Sequence, residues 1–197
     1  MKRVELKWDD RTSNSFKFSI LLCKQTYVVI LKFMIEIYLI RHGLAGQFGD
    51  FEDDSLRPLS DIGVKKTTKV AQRLKELGLQ FDVILTSPYA RSMETALILQ
   101  SIGLSETLET IDELKPAGNI EFIIEQLQSI RDRVQSVAIV GHEPDLSRLA
   151  AQLIFGQNCD NLILKKAGVI GLSTPDDGDL TGHCQLFWLS PPRLLLG

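Results

Sequence analysis

The chain has 197 residues and a formal net charge of −3, with a calculated isoelectric point near 5.7. This length suits one domain with a substantial core, and the slightly acidic balance gives no electrostatic reason to expect nucleic acid as a partner. The three cysteines, Cys23, Cys159 and Cys184, have neither the spacing of a zinc or redox motif nor a paired disulfide framework. We therefore expect a protein of a reducing cytoplasm.

The first 33 residues precede a second methionine, Met34, and we interpret 1–33 as an N-terminal extension of a domain at 34–197. The extension contains short apolar runs, but lysines interrupt them well before the ~20 clean residues that a membrane-spanning helix needs. We expect no membrane partner. The segment is predicted to add an edge strand or to stay partly disordered, and the alternative is that it lies upstream of the true start codon.

The first predicted element of the domain is a buried strand that ends in a reactive pair. Residues 35–40 form a short run rich in β-branched and aromatic side chains, and Arg41, His42 and Gly43 follow it directly. Glycine lets the backbone turn sharply at this point. Because ligands of open α/β sheets bind outside the carboxyl ends of the strands, Arg41 and His42 form a candidate anion site.

A polar loop and a helix capped by Ser60 come next, followed by a second buried strand at 81–86. Ser87 and Pro88 then have the form of an N-cap with proline at the first helical position. This pattern predicts Arg91 in the first turn of a helix, where unpaired backbone N–H groups also favour an anion. The alternative is a surface arginine paired with Glu94.

A third junction of the same kind lies near residue 140. After a short strand and loop at 108–114 and a helix capped by Asn119, the apolar run 136–140 ends in Gly141, His142, Glu143 and Pro144. His142 is therefore predicted at the end of a strand, just before a helix. The runs 168–172 and 182–189, separated by an Asp- and Gly-rich turn, indicate a hairpin.

The alternation of strands and helices predicts an α/β fold in three layers, helix/sheet/helix. The central sheet is expected to be mostly parallel, with an antiparallel hairpin at its C-terminal end. In such a sheet, the loops that follow Ile40, Thr86 and Val140 should collect at one edge.

These loops offer His42, His142, Arg41 and Arg91, a set suited to phosphoryl transfer. Arginine forks match the oxygens of a phosphoryl group, and a neutral imidazole can attack phosphorus and form a covalent intermediate. The alternatives are histidines that are merely hydrogen-bonded at strand ends, or a metal site. In the metal-site hypothesis, the histidines would share the metal ion with acidic ligands from the set Asp50, Asp53 and Glu143. Because the spacings match no common metal motif, we expect neither a metal nor a cofactor.

Three motifs in this order resemble those of the histidine phosphatase superfamily, and in particular its SixA-type phosphohistidine phosphatases. The resemblance implies a phosphoglycerate mutase-like fold, a nucleophilic His42 and no metal. It also implies a phosphate pocket formed by Arg41, Arg91 and His142. The motifs are Leu39-Ile40-Arg41-His42-Gly43, Ser87-Pro88-Tyr89-Ala90-Arg91 with Glu94-Thr95-Ala96, and Gly141-His142-Glu143-Pro144, supported by 54–60, 113–116 and 189–192.

For a SixA-type enzyme, the implied reaction is hydrolysis of phosphohistidine on a histidine-containing phosphotransfer protein, through a covalent phosphohistidine intermediate. The implied partners are a phosphorylated phosphotransfer domain or a histidine kinase of a cytoplasmic phosphorelay, and we expect a monomer. Only Glu113 approximates the acid of the mutases, so its role as acid or supporting residue stays open. A small-molecule phosphomonoesterase or mutase, and a non-catalytic phosphohistidine-binding module, are the alternatives.

Overall fold

The computed structural model describes residues 18–23, 26–31, 34–159 and 161–196. Within these ranges, strands and helices alternate from residue 36 to residue 155, and a hairpin and a short helix follow. Two 3-10 turns, Asp54–Leu56 and Asp112–Leu114, lie in connecting loops. The elements are β1 (Phe18–Cys23), β2 (Thr26–Leu31), β3 (Glu36–Arg41), α1 (Asp61–Glu76), β4 (Val83–Thr86), α2 (Ala90–Ser101), β5 (Leu108–Thr110), α3 (Ile120–Ile130), β6 (Ser136–Gly141), α4 (Asp145–Phe155), β7 (Val169–Ser173), β8 (Gln185–Ser190) and α5 (Pro192–Leu196).

Six of these strands form one mixed sheet in the order β5-β4-β6-β3-β7-β8. The neighbours β5, β4, β6 and β3 pair in parallel, whereas β7 pairs antiparallel with both β3 and β8. The predicted mostly parallel sheet with a C-terminal antiparallel hairpin is therefore confirmed. Strand β3 lies between β6 and β7, inside the sheet, which explains why residues 37–40 are apolar on both faces.

The sheet separates two hydrophobic cores, as the three-layer prediction requires. Because side chains alternate along a strand, Ile37 and Leu39 of β3 pack in one core, with apolar residues of α3 and α4. Tyr38 and Ile40 pack in the other core, with residues of α1, α2 and α5. All four side chains are buried. The fold class predicted from the sequence is thus confirmed on both faces of the sheet.

Two of the three predicted helix N-caps are correct. The Ser60 hydroxyl accepts a hydrogen bond from the Gly63 N–H at 3.1 Å, and the Asn119 side chain accepts one from Phe122 N–H at 3.0 Å. The prediction at Ser87 and Pro88 is wrong, since helix α2 begins only at Ala90. The hydroxyl of Ser87 instead contacts a histidine from another loop, a long-range interaction that local sequence patterns do not encode.

Part of the N-terminal extension is described. Strands β1 and β2 pair antiparallel with each other and form a separate two-stranded sheet. Among the described residues neither strand joins the main sheet, so the expected edge strand is not observed. Residues 1–17 lie outside the described ranges, and the domain boundary at residue 34 stays a prediction. Within the described ranges, no helix has both the length and the apolar character needed to cross a bilayer.

The strand register places three loops at one edge of the sheet. Arg41 at the end of β3 is opposite Gly141 of β6, and Thr86 at the end of β4 is opposite Val140 of β6. Since these three strands are parallel and end at nearly the same level, the residues that follow them leave the sheet side by side. The backbone N–H of His42 bonds the Gly141 carbonyl at 3.1 Å and extends this alignment by one residue.

Candidate active site

Two histidines meet at this edge of the sheet. His42 follows β3 and His142 follows β6, and their ring centroids are 5.1 Å apart with the ring planes tilted by 55°. Both residues are buried, with exposed fractions of 6% and 3%. Their approach is a direct consequence of the parallel pairing of β3 with β6, which brings together residues a hundred positions apart.

The hydrogen bonding of His42 fixes which of its ring nitrogens is free. Nδ1 lies 2.7 Å from the Gly43 carbonyl oxygen, and a carbonyl oxygen can only accept. The proton of the neutral ring is therefore on Nδ1, and Nε2 keeps its lone pair. Burial is the main cause that lowers the pKa of His42 to about 3, and the charges of Arg91 and Arg41 lower it further. At neutral pH the ring is uncharged and Nε2 is a competent nucleophile.

His142 is held by a different set of partners. Its Nε2 lies 2.9 Å from the Ser87 hydroxyl and 3.3 Å from the Ser92 hydroxyl, and the Tyr89 ring packs edge-on at 5.3 Å between centroids. Burial, followed by repulsion from His42, lowers the pKa of His142 to about 3. The two rings are thus both neutral, and each has one nitrogen held by a hydrogen-bond partner.

Two arginines complete the cluster that the sequence predicted. Arg91 is 4% exposed, and its Nη1 donates to the Asp54 carbonyl at 2.8 Å and lies 3.2 Å from the Asp54 carboxylate. Arg41 donates from Nη1 to the Leu164 carbonyl at 2.9 Å. The alternative of a surface arginine paired with Glu94 is wrong, because Arg91 is buried and the Glu94 carboxylate accepts from the Leu59 N–H.

Several buried polar atoms of the cluster have no hydrogen-bond partner among the described residues. Arg41 Nε, Arg91 Nε and one nitrogen of His142, Nδ1, are buried and lack a hydrogen bond within the part of the chain that the structure describes. Buried polar atoms without partners are rare in folded proteins and call for an explanation. Two of these three atoms belong to guanidinium groups, so most of the donors without a partner are on positively charged groups. An anion is the ligand class that such a site fits.

The loop before α1 supplies two residues to which the sequence analysis gave no role. Asp54 accepts from Arg57 Nε at 2.7 Å through one carboxylate oxygen, and its other oxygen faces Arg91. Arg57 also donates to the Gly46 carbonyl at 3.0 Å. Asp54 therefore holds Arg57 and Arg91 in place. The i, i+3 spacing of Asp54 and Arg57 was the available local signal, but nothing local indicated the link to Arg91.

Glu113, Asp50 and Asp53 form no hydrogen bond with either histidine. Glu113 lines a small pocket that also includes His142 and Asp145, and its carboxylate forms no hydrogen bond or ion pair with other described residues. Asp50 and Asp53, named in the metal alternative, are exposed in the loop before α1. In the described ranges, no group of three or more His, Cys, Asp or Glu side chains is placed to hold a metal ion.

Comparison with known proteins identifies the family of this arrangement. The family model of the histidine phosphatase superfamily (branch 1) matches residues 37–119. Phosphohistidine phosphatase SixA of Escherichia coli strain K12 is 30% identical over 128 residues, which cover 62% of this chain and 76% of SixA. The chain belongs to the histidine phosphatase superfamily. The family predicted from the three sequence motifs is therefore confirmed.

Structural similarity supports the same conclusion for this superfamily member. A structure of the protein histidine phosphatase SixA complexed with tungstate matches with a TM-score of 0.73 and 25% sequence identity, over 82% of this chain and 99% of that one. An uncharacterised protein of Picosynechococcus sp. is 38% identical over 165 residues, which cover 82% of this chain and 99% of that protein. The SixA-like, phosphoglycerate mutase-like fold is thus shown.

The glycine that follows the nucleophile candidate gives a first testable prediction. A Cβ on Gly43 would overlap with Thr67 Oγ1, a fully buried atom. Since overpacking costs about 1–3 kcal/mol, Gly43→Ala should lower the free energy of unfolding by that amount and reduce kcat/KM by displacing His42. Urea unfolding and steady-state kinetics on a phosphorylated substrate measure the two effects.

A matched pair of double variants isolates this contact. Thr67→Ala removes the overlapping atom, and the Thr67 hydroxyl has no hydrogen bond to lose among the described residues. Gly43→Ala combined with Thr67→Ala should therefore regain most of the stability, whereas the combination with Thr67→Val, which keeps an atom at that position, should not. Equal recovery by both combinations would contradict the proposed overlap.

The depressed pKa values of His42 and His142 predict how stability depends on pH. Both are about 3 in the folded protein, whereas a histidine in an unfolded chain titrates near 6.5. Between these values the unfolded chain binds more protons than the native one, so the free energy of unfolding rises with pH there. The effect of the two histidines on the free energy of unfolding is complete above about pH 6.5, and this free energy should fall on acidification.

Urea unfolding at several pH values between 5 and 7 measures this slope while most carboxylates stay ionised. His42→Gln and His142→Gln should each flatten the dependence, because each removes one group that the folded protein cannot protonate. His183→Gln, at an exposed histidine outside the cluster, is the control and should keep the parental slope. The same pH dependence in all three variants would contradict a depressed pKa at His42 and His142.

Proposed function

We propose that this protein is a phosphohistidine phosphatase that acts on a histidine-containing phosphotransfer protein through a covalent phosphohistidine intermediate on His42. The observation that carries the proposal is the neutral imidazole of His42, whose Nδ1 is bound to the Gly43 carbonyl and whose Nε2 is free beside two arginines and His142. Membership of the histidine phosphatase superfamily supports a phosphatase.

In the first step, the phosphoryl group of the substrate binds to the unsatisfied donors of Arg41 and Arg91. His42 Nε2 then attacks phosphorus in line, so that a new P–N bond forms on His42 while the P–N bond of the substrate breaks. The charge on the transferring oxygens is stabilised by the fixed guanidinium groups, with a hydrogen bond from His142 as the third contact.

In the second step, a water molecule attacks the phosphorus of phospho-His42. The P–N bond breaks, inorganic phosphate leaves as dihydrogen phosphate with both protons of the water, and Nε2 regains its lone pair. The Gly43 carbonyl keeps the Nδ1 proton in place throughout, so the same tautomer is ready for the next cycle. Because the arginines supply the positive charge for both steps, we propose that the reaction needs no metal cofactor.

Two considerations favour phosphohistidine over a phosphate ester as the substrate. SixA, the relative with 30% identity, is named as a phosphohistidine phosphatase. The imidazole leaving group of phosphohistidine can already carry a proton, whereas an alkoxide leaving group requires a strong acid. Glu113, the one acid candidate from the sequence, lies in a pocket beside His142 without any bond to the cluster. We assign it a supporting role.

The proposed partners are therefore a phosphorylated phosphotransfer domain or a histidine kinase, with the enzyme acting as a cytoplasmic monomer that lowers the phosphorylation of a signalling relay. A small-molecule phosphomonoesterase or mutase would use the same pocket with a different leaving group. A non-catalytic phosphohistidine-binding module would keep the arginines and dispense with a free nucleophile, which His42 Nε2 provides here.

A substrate panel tests the proposal directly. The full-length protein is incubated with a phosphorylated phosphotransfer domain, with phosphoglycerate and with sugar phosphates, each with and without a chelator. Hydrolysis of the phosphoprotein should exceed that of the esters and should survive the chelator. Preference for the esters would support the phosphomonoesterase or mutase, binding without phosphate release would support the module, and loss of activity in chelator would refute metal independence.

A further inference from the structure

The segment 164–168 is fastened to the end of strand β3, immediately beside His42. The Ala167 N–H lies 3.0 Å from the Arg41 carbonyl and 3.2 Å from the His42 carbonyl, and the Arg41 N–H donates to the Gly168 carbonyl at 3.2 Å. The Arg41 side chain binds the same segment at the Leu164 carbonyl. Backbone and side chain of the site residues thus hold this loop at both of its ends.

Further contacts fix the path of the loop. The Leu164 N–H donates to Glu143 Oε1 at 3.0 Å, and Glu143 is in turn bound by the Ser147 hydroxyl at 2.7 Å. A tight turn closes between the Gly168 N–H and the Lys165 carbonyl at 2.7 Å, and Ala167 takes a left-handed φ of 58°. A non-glycine residue holds such a conformation only where its surroundings impose it. The backbone position of Lys166, inside this turn, is therefore well defined.

The two lysines of the turn have different surroundings. Lys166 is an exposed residue, but partial burial of its ammonium group and repulsion from Arg41, Arg57 and Arg91 lower its pKa. Its charge is also one of those that lower the pKa of His42. Lys165, one residue earlier, lines an apolar groove with residues of β8 and α5. Lys166 thus belongs to the cation cluster of the site, whereas the side chain of Lys165 does not.

The cluster holds more positive charge than its own acids compensate. Arg41, Arg57, Arg91 and Lys166 are four cations. Among the described residues, Asp54 forms ion pairs with Arg57 and Arg91, and the Glu143 carboxylate interacts electrostatically with Arg41. Like charges held this close repel each other, so the arrangement favours the entry of a multiply charged anion. A phosphoryl dianion, which the proposed function places on Arg41 and Arg91, is such an anion.

We propose that Lys166 is a substrate-binding residue that contacts the phosphoryl group in the pocket beside His42. The inference rests on the proposed function. Lys166 adds a flexible point charge to the planar guanidinium forks, so that one cation can follow the phosphoryl oxygens as the group moves from substrate to His42.

Binding of inorganic phosphate, measured by calorimetry on the full chain, tests this assignment without depending on the identity of the physiological substrate. Lys166→Met should raise the Kd for phosphate by about two- to five-fold, the range expected for loss of one exposed charge contact. Lys166→Arg should restore most of the affinity. Lys165→Met is the matched control, since it removes the same charge one residue away, and it should leave the Kd unchanged.

The outcomes separate this inference from the proposed function. Unchanged phosphate binding by Lys166→Met, or equal losses from both methionine variants, would overturn the role of Lys166 and leave the phosphatase proposal intact. Failure of the parental protein to bind phosphate at all would overturn both. A loss specific to Lys166→Met and rescued by arginine would support both the contact and the anion pocket.

Discussion

Replacing His42 with alanine should lower the turnover of a phosphohistidine substrate by about 10⁴-fold or more, the scale seen when a covalent nucleophile is removed. The physical reason is that His42 Nε2 combines a free lone pair, an uncharged ring and a position beside two arginines. The covalent phosphoenzyme should vanish with the activity. Rapid quenching with radiolabelled phosphoprotein, followed by detection of acid-labile label on the enzyme, measures it.

A control variant and a binding measurement distinguish a loss of catalysis from a loss of folding. His183→Ala removes an exposed histidine outside the cluster and should retain full turnover and labelling. His42→Ala should still bind inorganic phosphate, because Arg41 and Arg91 remain. Undiminished turnover by His42→Ala in the presence of a chelator would refute the proposed nucleophile, and retained labelling at another residue would move the nucleophile elsewhere.

The fold was predictable from the sequence because its signals are local. Apolar runs mark the strands, Ser60 and Asn119 cap their helices through contacts three residues away, and parallel pairing follows from the alternation of strand and helix. The convergence of His42 and His142 required only the further rule that parallel strands end at one edge. The histidine pair was therefore predictable from hydrophobic periodicity and sheet topology together.

The surroundings of the site were not predictable in the same way, because they depend on contacts between distant loops. Asp54 binds Arg91 across 37 positions, and the Ser87 hydroxyl reaches His142 across 55. Ser87 is an example, since its local sequence pattern indicated a helix cap, whereas its hydroxyl contacts His142. Lys166 was invisible for the same reason: a lysine in a loop gives no signal until the backbone bonds of the turn place it at the site.

Replacing Arg91 with alanine should reduce kcat/KM by about a hundred-fold or more, the cost of losing a preorganised donor to the transition state. Arg91 is 4% exposed, and its buried Nε has no hydrogen-bond partner among the described residues, so this donor is available to a ligand. The substitution also frees one oxygen of Asp54, whose negative charge would then repel the phosphoryl group. Steady-state kinetics on the phosphoprotein measures the combined loss.

The double variant Arg91→Ala with Asp54→Ala divides this loss into its two causes. Removing the carboxylate relieves the repulsion, so affinity for phosphate should recover in part, whereas kcat should stay low because no second fork replaces the lost contact. Arg91→Lys should also stay well below the parental rate, since an ammonium group cannot supply two parallel donors. Arg73→Ala, at an exposed arginine paired with Glu76, is the control and should change nothing. A negligible effect of Arg91→Ala on kcat would place this arginine outside the transition-state contacts and leave Arg41 as the principal clamp.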